Sequence, residues 1–219
     1  MTGDALTGQP GAAMADLAQS WRRAWRGIGA TGTGAGTCSA LRAAYAEPHR
    51  HYHTTQHLME CLATFAESAG LAESPHAVEL AIWFHDAIHV PTRSDNEERS
   101  AELAQRELES SDVDPQAARH VHELVLATRH DALPRTQDEK VIVDIDLAIL
   151  GAGDLRFAEY ERQVREEYAF VPGWLFRRKR RAILQSFLER DSIYSTPYFI
   201  ETLEARARAN LRRALGEHA

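Results

Sequence analysis

The stretch RHYHTTQHL, residues 50–58, carries His51, His53 and His57, and His49 stands just before it. A neutral imidazole is the commonest protein metal ligand and titrates near neutral pH. Such a cluster can serve a metal, an acid–base step or simply a polar turn. A second signal is the dipeptide His85-Asp86, which closes the apolar segment AIWFHDA. A buried carboxylate needs a partner or a metal, although the dipeptide alone also fits a core hydrogen-bonded pair or a surface helix end. A third is Asp146, inside the apolar run VIVDIDLAIL. Three separate segments thus deliver ionisable groups from apolar surroundings. Two imidazoles and two carboxylates, with water completing the shell, suit one octahedral divalent cation such as manganese, iron, cobalt, nickel or magnesium. A closed structural zinc site would want thiolates. Cys38 and Cys61 match no zinc or redox spacing and read as small buried residues in a reducing cytosol.

Helices have to position these groups. LMECLATFAESAGL has Leu58, Leu62, Phe65 and Ala69 at helical spacing, and PHAVELAIWFHDA opens with proline and runs Val78, Ile82 and His85 along one stripe. The segment from Ser94 to Leu108 begins Ser-Asp-Asn and carries Glu97 and Glu98, a helix N-terminus. Val121, Leu124, Val125 and Thr128 form another stripe. VIVDID could be a strand, but a lone strand makes no sheet, so DEKVIVDIDLAIL is read as helix. Three more amphipathic segments follow Leu155. The expectation is an all-α bundle of about eight or nine helices with a C-terminal helical extension. Residues 1–13 are expected to be a disordered lead-in and residues 14–219 a single domain. GATGTGAGT, residues 29–37, lacks the strand and the lysine of a phosphate-binding loop and reads as a flexible connector.

A chain of 219 residues can bury roughly 70% of the surface its unfolded form exposes, enough for a full core. The net charge of -7 argues against general nucleic-acid binding, and the basic run at residues 177–181 is read as a solvated helix face. With no membrane-spanning apolar run and no signal-peptide layout at residues 1–19, a soluble, cytoplasmic protein is expected.

The pattern of His57, His85-Asp86 and Asp146 in an all-helical chain resembles the HD-domain superfamily of metal-dependent phosphohydrolases. More narrowly, the blocks RHYHTTQH, AIWFHDAIH, DNEERSAELA, VIVDIDLAILG, VREEY and EARARANL resemble a bacterial subgroup of predicted metal-dependent HD phosphohydrolases without an established substrate. The resemblance runs from about Trp21 to Leu215. It implies that His57, His85, Asp86 and Asp146 are the metal ligands, Asp146 rather than Asp144 because the family's closing aspartate precedes a short leucine-containing helical run, here DLAIL. Asp144 is then a neighbour behind the ligands or an ordinary helix residue. Thr54 and His89 stand where the subgroup usually has asparagine and tyrosine, positions expected at the pocket rim.

Some superfamily members add histidines for a second metal, and His120, His122 and His130 are the candidates. On one helix His122 and His130 would lie about 12 Å apart, so one metal is expected and His120 and His122 are read as surface residues. The implied chemistry is hydrolysis of a small phosphate ester, such as a nucleotide, by water activated at the metal. Asp86 would help to orient that water. Glu97 is placed to transfer the proton, or simply complements a helix N-terminus. Arg50, His53, Arg129 and His130 are candidates to bind the phosphate, with Arg129 and His130 equally readable as a helix C-terminal cap. His49 and His51 are read as turn residues. Two alternatives are an HD-fold di-iron oxygenase and a non-catalytic nucleotide-binding sensor.

Overall fold

A computed structural model describes residues 10–216. The described residues form ten α-helices and no strand: α1 (Pro10–Gly27), α2 (Ala35–Ala44), α3 (Thr55–Ser68), α4 (Pro75–Phe84), α5 (Asn96–Glu109), α6 (Pro115–Ala127), α7 (Gln137–Asp146), α8 (Asp154–Glu167), α9 (Gly173–Leu188) and α10 (Pro197–Leu215). No helix is long and apolar enough to cross a membrane. The all-α reading holds, with one more helix than expected. The addition is α2, which begins inside the glycine-rich stretch. Most of the lead-in lies outside the described residues, but residues 10–13 are helical, because α1 opens at Pro10.

Local chemistry explains the helix ends. Proline opens α4, α6 and α10 where a missing N–H costs nothing. The Asp114 carboxylate accepts from the N–H groups of Gln116 and Ala117. Thr136 and Glu139 form a capping box that starts α7, so VIVDID propagates as helix. The glycine-rich stretch is pinned rather than free. Gly34 opens α2 at φ 58, and a Cβ there would lie 2.5 Å from the Trp25 ring. Beside it Trp21 Nε1 donates to the Thr33 carbonyl.

The centre of the bundle is α4. Every residue from Ala77 to Phe84 is buried, the pattern of a helix surrounded by others, and α1, α3, α5, α6 and α7 all pack against it. The one charge inside, Glu79, is met by Arg23 and by the Ser20 hydroxyl of α1. The C-terminal helices lock the far end of α7. Asn210 donates to the carbonyls of Leu150 and Ala152, and the Tyr194 hydroxyl donates to that of Leu147. The basic run on α9 is exposed at Arg177, Arg178, Lys179 and Arg181, while Arg180 turns inward to Glu161.

Asp144 joins these two halves. Fully buried, it accepts from the backbone N–H groups of Ser195 and Thr196 at 2.8 and 2.7 Å, just ahead of α10. Two residues along a helix is more than half a turn, so Asp144 and Asp146 face different neighbours. Burial pushes the Asp144 carboxyl up to about 6, against the pull of those two amides. Asp144→Ala leaves the Ser195 and Thr196 amides without their acceptor and is expected to lower unfolding stability by about 2–4 kcal/mol, with bound metal unchanged. A folded pKa above the unfolded one means that the native state keeps the proton longer. Wild-type stability therefore loses a contribution as pH rises from about 4 to about 6, and the variant lacks that component. Denaturant unfolding across this range, beside metal analysis, checks both.

Candidate metal centre

Three helix ends converge on one buried point. His57 lies in the first turn of α3, whose N-cap is Thr54, its side chain accepting from Gln56 N–H. His85 is the residue that ends α4, and Asp86 follows it. Asp146 is the last residue of α7. His57 Nε2 lies 3.1 Å from His85 Nε2, 3.4 Å from Asp86 Oδ2 and 3.2 Å from Asp146 Oδ1. His85 Nε2 lies 2.9 Å from Asp86 Oδ2 and 3.7 Å from Asp146 Oδ1. Ligand atoms about 2.1 Å from a shared ion are about 3.0 to 3.4 Å apart, for right-angled and tetrahedral arrangements respectively. His57, Cys61, His85 and Asp146 have ligand atoms all within 4.8 Å of one another, and Asp86 Oδ2 adjoins both imidazoles, so one cation would fit among these side chains.

The hydrogen bonds behind the cluster favour that use. His85 Nδ1 stands 2.8 Å from the Ile82 carbonyl. A carbonyl only accepts, so Nδ1 carries the proton, and in the neutral ring Nε2 turns a lone pair toward the cluster. Asp86 Oδ2 is buried and has no hydrogen-bond partner. Asp146 keeps Oδ1 toward His57, while its Oδ2 accepts from His130 Nε2 at 2.8 Å. Burial opposes ionisation of both carboxyls, but His85 beside Asp86 and His130 beside Asp146 outweigh it and hold both well below the usual range. Burial also opposes charge on His57 and His85. Acidic neighbours, led by Cys61 for His57 and Asp86 for His85, raise both imidazoles above their ordinary value. The field that draws protons to this point would favour a cation there as well.

Several predicted residues have other positions than expected. Arg50 is buried, and its guanidinium donates to the carbonyls of Asp86 (2.6 Å), Ala87 (3.0 Å) and His53 (3.3 Å) and pairs with Glu47. It holds the turn carrying Asp86 from behind and is not placed to bind phosphate. His130 is not on the same helix as His122, because α6 ends at Ala127 and His130 has φ 59. That left-handed backbone, costly for a residue with a side chain, directs its ring to Asp146. His120 is not a plain surface residue: Nε2 lies 2.9 Å from Asp138 Oδ2. His122 is half-buried on α6. His49 and His51 lie in turns, and His49 Nε2 donates to the His89 carbonyl.

A cavity of about 310 Å³ opens beside Asp86. His53, His89, Glu97 and Arg129 line it, and Thr54 does not. Glu97 stands in the first turn of α5, so its helix-terminal and cavity positions coincide. Burial raises its carboxyl pKa, and the charge on Asp86 adds to that. Its neighbours on α5 tie the Asp86 loop to the helix: Asn96 bonds both N–H and carbonyl of Val90, and the Ser100 hydroxyl accepts from Ile88 N–H. Arg129 pairs with Glu98 at 2.5 Å at the same rim. A second cavity, of about 480 Å³, touches His57, Cys61 and Asp146 from the other side.

One residue of this region has no assigned role in the sequence, and another, Cys61, reads there only as a small buried residue. Glu167, in the block VREEY, is buried, and Oε2 accepts from the backbone N–H groups of His51, Tyr52 and His53 at 3.0, 3.1 and 3.2 Å. It shapes the turn that leads to His57. Its signal was its place on the buried stripe Phe157, Tyr160, Val164, Glu167 of α8, where an apolar residue is expected. Cys61, one turn beyond His57, lies with Sγ 3.7 Å from both its ring nitrogens. Burial pushes this thiol up, against the pull of the neighbouring His57. No family model, curated protein or solved structure matches the chain.

Dialysed protein loaded with manganese or cobalt is expected to retain about one tightly held ion per chain at this point. His85→Ala should lose it while helical circular dichroism persists. His130→Ala, which removes only the support behind Asp146, should weaken affinity roughly 10- to 100-fold. Metal content unchanged in His85→Ala contradicts the assignment.

Proposed function

We propose that the chain is a divalent-metal-dependent phosphohydrolase of the HD type, acting on a small phosphate ester such as a nucleotide. The observation that carries this reading is the shared wall of the polar cavity: Asp86 of the ligand quartet and Glu97, whose carboxyl is raised by burial, face the same 310 Å³ space. His57, His85, Asp86 and Asp146 would hold one ion, and manganese, cobalt, nickel, iron or magnesium all accept such a donor set. When bound, the ion polarises a phosphoryl oxygen and lowers the pKa of water.

The chain's own residues supply positioning and proton transfer. Glu97, half-buried and with a pKa moved toward neutrality, accepts the proton of the attacking water. Arg129 at the rim and His53 in the wall meet the phosphate oxygens, where charge stabilisation dominates phosphoryl transfer. Arg50 and His130 act through Asp86 and Asp146, which they hold in place. Cys38 and Cys61 are free thiols, in keeping with work in the reducing cytoplasm.

Manganese-loaded protein is expected to hydrolyse at least one member of a panel of phosphomonoesters, nucleotides and cyclic nucleotides, and chelation should stop it. Glu97→Gln keeps the size of the side chain and removes its basicity. Turnover should fall on the order of 10²-fold with metal content unchanged. If Glu97 only complements the helix N-terminus, the variant keeps near-wild-type turnover and loses at most about 1 kcal/mol of stability. No hydrolysis across the panel by fully loaded protein would overturn the catalytic reading.

A further inference from the structure

We propose that His53, His89 and Glu167 form a second cation site, separate from the quartet and suited to a transition metal. The three offer ligand atoms within 4.8 Å of one another. Glu167 Oε2 is committed to three backbone N–H groups, which leaves Oε1 as the free corner of a buried carboxylate. Around Oε1 stand His53 Nδ1 at 2.5 Å and His89 Nε2 at 2.9 Å. The second separation matches the roughly 3 Å expected between neighbouring donors about 2.1 Å from one ion, and His53 Nδ1, now at hydrogen-bond distance, would draw back by about half an ångström.

A hydrogen-bonded His53–Glu167 pair would explain two of the three groups. It leaves His89 poorly served: the ring is only 6% exposed, and its Nε2 lies 2.9 Å from the same Oε1 without the alignment of a hydrogen bond. Buried ring nitrogens are ordinarily well hydrogen-bonded, and a cation would satisfy both imidazoles and the shared carboxylate oxygen at once. The ring is held for that purpose: the His89 carbonyl accepts from His49, and its imidazole lies against that of His53, centroids 4.1 Å apart. Binding requires His53 Nδ1 to present its lone pair, so the proton it shares with Glu167 Oε1 passes to its own Nε2 in the neutral ring. Three protein ligands leave open positions, and His53 and His89 both line the cavity that Asp86 lines. Imidazole with a single carboxylate selects zinc, cobalt, nickel or iron over calcium.

Cobalt(II) titration of the full-length protein tests this, followed by visible absorption and by metal analysis. Wild type should take up about one equivalent more than His89→Phe, which keeps a ring of similar volume but offers no lone pair. His89→Cys restores a donor, so it should regain the extra equivalent and add a thiolate-to-cobalt charge-transfer band. Because the readout is a difference between variants, it stands whether or not the quartet binds cobalt. Equal uptake by wild type and His89→Phe, with both showing the same melting temperature, overturns the site. If His89→Phe does not fold, absence of the charge-transfer band in folded His89→Cys overturns it instead.

Discussion

Two carboxylates and two imidazoles meet in the interior with little of their own surface exposed, and that juxtaposition constrains the rest of the molecule. The Asp86 and Asp146 side chains are each less than a fifth exposed. Buried charge of this kind is tolerated only when partners or a cation answer it. The partners are present but incomplete, since Asp86 Oδ2 lacks a hydrogen bond. A divalent ion would balance the two negative charges and give the inward-facing lone pairs a destination.

Holding four such groups within reach of one ion demands that three helix ends be fixed independently. Each is fixed by a charged or polar side chain bonded to backbone. Arg50 grips the carbonyls of Asp86 and Ala87, Glu167 gathers three amides of the turn before His57, and Asp144 fastens the α10 entry to α7. His130 completes the set by bonding Asp146 directly. Backbone bonds of this type set position more firmly than surface ion pairs do, because the side chain in each is buried and has little water as an alternative. The helix α4, buried on every side, gives them a common frame.

Much of this was legible in the sequence and some was not, for definite reasons. The helices were visible because apolar residues recur at helical spacing, and the four proposed ligands because ionisable groups interrupt apolar runs. The strand-like VIVDID resolved as helix through the Thr136–Glu139 box, a local signal that was available. What pattern could not give was the partner of a given side chain. Arg50 beside three histidines reads as a phosphate ligand, and only the approach of the Asp86 turn, 36 residues away in sequence, turns it into a structural clasp. Glu167 depends on contacts across 114 to 116 residues. His130 was placed on a helix that stops three residues before it, since nothing in ATRHD requires a left-handed residue there. The helix α2 was hidden by glycines whose ordering depends on the tryptophans of α1.

The central claim is that the quartet is a cation site rather than a self-contained hydrogen-bonded cluster. Crystals of the manganese-soaked protein, with diffraction collected at a wavelength where manganese scatters anomalously, test it most directly. The account predicts an anomalous peak bounded by His57 Nε2, His85 Nε2, Asp86 Oδ2 and Asp146 Oδ1. The same four side chains bonded to one another, with no peak between them under saturating manganese, would contradict it.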